Sequence, residues 1–120
     1  MIKNNCGFEY TVGEGTLYIC LTGEMDHHSA AGLRGDVDKL IYAERPDKIM
    51  LDLSGIGFMD SSGLGFIMGR YALAHELGAT LAVCNMSPAT QRIFDLAGLG
   101  RIIPVESDKT EKSNHERVKK

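Results

Sequence analysis

The chain has 120 residues, 43% hydrophobic and 24% charged, with a formal net charge of -3. That is the size and balance of one globular domain, too short for two cores and too apolar for a disordered chain. No apolar run approaches the roughly 18 residues of a membrane helix, and the opening MIKNNCGFEY lacks the apolar stretch of a signal peptide, so a cytoplasmic protein with no membrane partner is expected.

The charge is unevenly spread. Residues 107–120 carry five basic and three acidic side chains, leaving 1–106 with eight basic and thirteen acidic. Such an acidic body is poorly suited to nucleic acid, whose binding rests on phosphate neutralisation, so no nucleic-acid partner is expected. The domain is expected to occupy 1–106, with 107–120 a polar, solvated tail lacking fixed structure. Cys6, Cys20 and Cys84 are an odd, widely spaced set with no CxxC, which fits neither a disulfide framework nor a zinc site. Cys20 and Cys84 sit in apolar stretches and read as small core residues.

Residues 8–12 and 16–22 read as strands around the turn Gly13-Glu14-Gly15; Leu17, Ile19 and Leu21 alternate with Tyr18 and Cys20, and Thr22-Gly23 ends the run. From about His28 to Tyr42, Ala30, Leu33, Val37, Leu40 and Ile41 fall on one helical face, with Asp26 placed to cap it. Arg45-Pro46 stops that helix. KIMLDL (48–53) reads as a central strand, followed by a glycine-rich loop from Ser54 to Asp60 and a helix from Ser61 to Leu77 closed by Gly78. Residues 79–85 form another strand, Ser87-Pro88 starts a helix ending at Gly98, and 102–105 form a last strand whose Pro104 suggests an edge. The order ββαβαβαβ makes this an α/β domain with a mixed, mostly parallel sheet.

One segment carries a cost that asks for a reason. Gly63, Gly65 and Gly69 fall in the first turns of the helix after Asp60, where each costs roughly 0.5–1 kcal/mol against alanine. They either permit close packing on the sheet or leave room for a partner, and the two reasons can apply on different faces. Asp60 or Ser61 can cap the first turn. An exposed serine there could equally accept a phosphoryl group, which the helix dipole and free N–H groups would favour while it added about -1.5 to -2 charges beside Asp60. Asp60 and Ser61 are expected to face solvent, with Ile67 and Tyr71 toward the sheet.

Ser61 and Ser62 lack the G-x-S-x-G frame of a nucleophile elbow, and the glycine loop lacks the Gly-Lys-Ser/Thr ending of a P-loop. His27 and His28 are adjacent and make a thin ligand set with Asp26, so no metal is expected. No catalytic residue and no cofactor are assigned, and the chain is read as not an enzyme.

FMDSSGLGFIMGRY (58–71), LTGEMDHHSA (21–30) and VCNMSPATQRIFDLAGL (83–99) together resemble the anti-sigma factor antagonists of the STAS type over about residues 8–105. The double histidine after Asp26 points to the branch that antagonises the anti-sigma-F factor rather than to the general stress-response branch. The resemblance implies a small sheet with helices on one side. It also implies an unphosphorylated form that binds an anti-sigma factor with serine kinase activity and so frees a sigma factor. The kinase would phosphorylate the first serine of the motif, Ser61, and a serine phosphatase would reverse it. Asp26, His27, Gly55, Met59, Asp60, Ser62 and Gly63 would then contact the partner, the chain itself being a monomer when free. The polar 107–120 departs from the amphipathic closing helix usual in the family. Two other functions remain open: a STAS module that binds a nucleotide or small ligand within a sensor or transporter system, and a hydrolase using Ser61 or Ser62, for which no base is evident.

Overall fold

The computed structural model describes residues 6–107. The expectation for the tail therefore lies, beyond Ser107, outside the described residues. Five strands alternate with three helices: β1 Cys6–Gly13, β2 Thr16–Met25, α1 His27–Glu44, β3 Lys48–Met59, α2 Ser61–Glu76, β4 Thr80–Cys84, α3 Pro88–Leu96 and β5 Val105–Glu106. The strands lie side by side in chain order. β1 and β2 form an antiparallel hairpin, and β2 through β5 run parallel. Glu14 and Gly15, both at positive φ, make the hairpin turn.

All three helices pack on one face. Leu17, Ile19 and Leu21 of β2, Ile49, Leu51 and Leu53 of β3, and Leu81 and Val83 of β4 point into one cluster with Leu33, Ile67 and Phe94 from the helices. The opposite face carries the alternate residues: Tyr18, Met50, Ala82 and Cys84 cluster there. Asp52, buried on that side, accepts a 2.6 Å hydrogen bond from the Tyr18 hydroxyl and one of 2.9 Å from the Ser54 amide. Burial and then this carboxylate push the Tyr18 phenol far above its ordinary range. Cys84 is fully buried as expected, but Cys20 is only half-buried and lies beside Asp52 rather than in the main core.

Three expectations are corrected. The run after Ser54 is not a loop, because β3 continues to Met59, and β2 likewise continues through Thr22-Gly23 to Met25. Register shifts between Cys20 and Thr22 and between Gly23 and Glu24 absorb the extra residues, so the strands keep pairing at Gly23–Ile56 and Met25–Met59. Gly55 serves that offset. A Cβ there would stand 2.7 Å from the Leu21 carbonyl oxygen, so this is where the two backbones approach. The last strand is the pair Val105–Glu106, since Ile102 and Ile103 follow a short 3-10 turn, Leu99–Arg101, and hydrogen-bond back to Leu99.

Candidate functional site

The site follows from strand register. Because Met25 and Met59 are paired, the next residues of both strands, Asp26 and Asp60, leave the sheet side by side, and each starts a helix. The carboxyl edge of a parallel sheet is where open α/β folds place their sites. Asp26 Oδ1 accepts from the Ser29 amide at 2.9 Å, and Asp60 Oδ1 accepts from the Ser62 amide at 2.8 Å. These bonds satisfy first-turn N–H groups that the helices cannot. The amide of Ser29 is the main reason the Asp26 carboxyl is held below its ordinary range. The cap of α1 is therefore in place at neutral pH and is lost as acid titrates that carboxylate.

Asp60, not Ser61, is the cap of α2. That frees the Ser61 hydroxyl, and Ser61 is exposed as expected. Asp60 itself is half-buried because its side chain turns back onto the helix. Ile67 is fully buried and Tyr71 is half-buried against the core, on the sheet side of α2. His27 and His28 are both exposed at the start of α1. Ser62 is half-buried, Gly55 is exposed, and Met59 and Gly63 are buried. The structure thus brings Asp26, His27, Met59, Asp60, Ser61, Ser62 and Gly63 to one edge. Gly55 lies further back in β3, at the register shift.

The glycines of α2 divide by face. A Cβ on Gly63 would run into Met59 Cγ and lie 2.9 Å from its sulfur, so Gly63 lets the strand end pack under the first turn. A Cβ on Gly65 or Gly69 would meet nothing within 4 Å. These two face a groove of about 320 Å³ between α1 and α2, lined by His27, Arg34, Ser62, Phe66 and Arg70 among others. The difference gives opposite expected signs. Gly63→Ala should destabilise by about 1–3 kcal/mol through overpacking, whereas Gly69→Ala should stabilise by up to about 1 kcal/mol through helix propensity. Urea melts of the two variants check this; a Gly63→Ala protein as stable as wild type would remove the packing role.

Sequence reasoning missed the groove and the pair that braces it. Arg70 is 5% exposed, its Nε 2.7 Å from Asp38 Oδ1 on α1. Its Nη1 donates to the Phe66 carbonyl at 3.2 Å, and the guanidinium lies 5.2 Å over the Phe66 ring. Burial holds this guanidinium below its ordinary range; Asp38 opposes that shift and Arg34 adds to it. Phe58, 49% exposed just before Met59, is a second missed feature of this edge. Its only signal is a large aromatic directly after Gly57.

Comparison with known proteins places the whole domain. The STAS domain model matches residues 8–114. An anti-sigma F factor antagonist of Paenibacillus polymyxa is 40% identical over 84% of this chain and 86% of its own length. An anti-sigma-B factor antagonist of Bacillus subtilis is 31% identical over 86% of this chain and 93% of its own. That order agrees with the branch indicated by the double histidine. The phosphorylated form of the Bacillus cell fate determinant SpoIIAA superposes with a TM-score of 0.67 at 27% identity, covering 89% of this chain and 97% of that one. Among the described residues no helix is long and apolar enough to cross a membrane. The chain belongs to the STAS domain family, among its anti-sigma factor antagonists.

Proposed function

We propose that this chain is an anti-sigma factor antagonist switched at Ser61. Unphosphorylated, it binds an anti-sigma factor that is also a serine kinase and so releases a sigma factor. Phosphorylation of Ser61 by that kinase ends binding, and a serine phosphatase restores it. The chain supplies a surface and a hydroxyl; the nucleotide belongs to the kinase. It works in the cytoplasm as a monomer when free, and residues 1–106 are the unit that binds. The observation that carries this reading is the exposed Ser61 hydroxyl, left free because Asp60 caps α2.

The surface around Ser61 is continuous with both aspartates. A phosphoryl group there gains from the helix dipole but adds negative charge beside Asp60. The edge changes abruptly in charge while the fold has little reason to move. Incubating the chain with its anti-sigma factor and ATP, then locating phosphate by mass spectrometry, tests the assignment. A single phosphate on Ser61 is expected. Phosphate confined to Ser62 would move the switch, and saturable nucleotide binding by the chain alone would favour a ligand-binding module instead.

Asp26 separates folding from binding. Asp26→Ala removes the α1 cap and a charged group beside Asp60. It should lower the thermal midpoint by only a few degrees while weakening the anti-sigma factor complex at least about tenfold, or 1.4 kcal/mol. Wild-type affinity in that variant would reduce Asp26 to a cap.

A further inference from the structure

The groove between α1 and α2 is space that the packing of the two helices leaves unfilled. Gly65 and Gly69 line it with space where a side chain would fit, although alanine would suit a helix interior better. Ala30 and Ala31 face them from α1, so both walls are kept low. The charged groups that line it are two guanidiniums. Arg34 is exposed at the rim, and Arg70 lies buried at the floor over the Phe66 ring. Asp38 offsets one of these two charges, which leaves the groove positive on an acidic chain. Its mouth opens at His27 and Ser62, next to Ser61, so a protein covering Ser61 also lies over it.

We infer that this groove receives an acidic side chain of the anti-sigma factor, its stem against Phe66, Gly65 and Gly69 and its carboxylate toward Arg34. The inference rests on the partner-binding reading above. It adds a contact on the α1–α2 face to the contacts at the caps. A carboxylate suits the site because it meets the Arg34 guanidinium, which has no ion pair among the described residues, in a setting the covering partner would desolvate, where charge-assisted bonds are strong. Low walls let the partner backbone approach closely enough for a short acidic side chain to reach.

Calorimetric titration of the anti-sigma factor with wild type, Gly69→Leu, Arg34→Glu and Arg34→Lys tests this. Gly69→Leu fills the groove, and Arg34→Glu reverses its rim charge. Each should weaken binding at least about tenfold, with thermal midpoints within a few degrees of wild type. Arg34→Lys should keep most of the affinity. The affinity of Arg34→Glu should also lose much of the wild-type dependence on salt, which a purely structural role for Arg34 would leave unchanged. Wild-type binding by both Gly69→Leu and Arg34→Glu overturns the groove while leaving the Ser61 switch intact. Weakening by Gly69→Leu alone overturns the acidic occupant in favour of an apolar one. Failure of the wild-type chain itself to bind overturns both readings. Because Arg34 is exposed, its variants keep the test decisive even if Gly69→Leu disturbs the fold.

Discussion

Ser61→Asp should bind the anti-sigma factor at least about a hundredfold more weakly than wild type, while Ser61→Ala binds normally and takes up no phosphate at that position. The hydroxyl is exposed in the free chain, and in the proposed complex the partner would cover it as a neutral group. A carboxylate placed there is desolvated without a partner and stands next to Asp60, whose own carboxylate is committed to the Ser62 amide. An unpaired charge in an interface costs several kcal/mol, and two orders of magnitude correspond to only about 2.8 kcal/mol. In the free protein the sign reverses, because an acidic residue in the first turn of a helix is favourable by about 0.3–1 kcal/mol. Ser61→Asp should therefore melt at or slightly above the wild-type temperature. Loss of binding with retained stability marks a switch; loss of both would mark a misfolded protein. Calorimetry and thermal melts on the same samples read the two halves.

Asp38→Ala is expected to have the largest effect on the fold. It leaves the Arg70 guanidinium buried with its counter-charge gone and Arg34 nearby. Removing one member of a buried pair costs about 3–5 kcal/mol, and the lower end applies here because the Asp38 side chain is 29% exposed. About 3 kcal/mol lowers the thermal midpoint of a domain this size by at least about 10 °C. The double variant Asp38→Leu, Arg70→Met should recover most of that, since an apolar pair of similar volume needs no desolvation of charge. If Asp38→Ala melts like wild type, the pair does not brace α1 against α2.

Much of the fold was legible because local chemistry agrees with the global pattern. Alternation in β2, the caps Asp26 and Ser87, Pro88 at the start of α3 and Gly78 after α2 each follow from one residue type doing one thing. The end of β3 was not legible, for a physical reason. Ser54-Gly55-Ile56-Gly57 reads as a loop because glycine weakens strands, yet here glycine is what lets β3 slip its register against β2 and keep pairing. The site's position depends on that slip, since it sets Asp26 beside Asp60. Ser61 was readable as a free hydroxyl only in part, because either Asp60 or Ser61 could have capped the helix. The Arg70–Asp38 pair is long-range, 32 residues apart, and nothing local to either residue announces it. The two purposes of the α2 glycines were foreseeable as alternatives, but which glycine serves which face depends on Met59 coming to rest under Gly63.

In the proposed switch, one phosphoryl group on Ser61 decides whether this chain binds its partner. The direct measurement is calorimetric titration of the anti-sigma factor with the unphosphorylated chain and with the same chain phosphorylated at Ser61. Binding should be tight in the first case and weaker by at least about a hundredfold in the second. Equal dissociation constants for the two forms would show that Ser61 is not the switch.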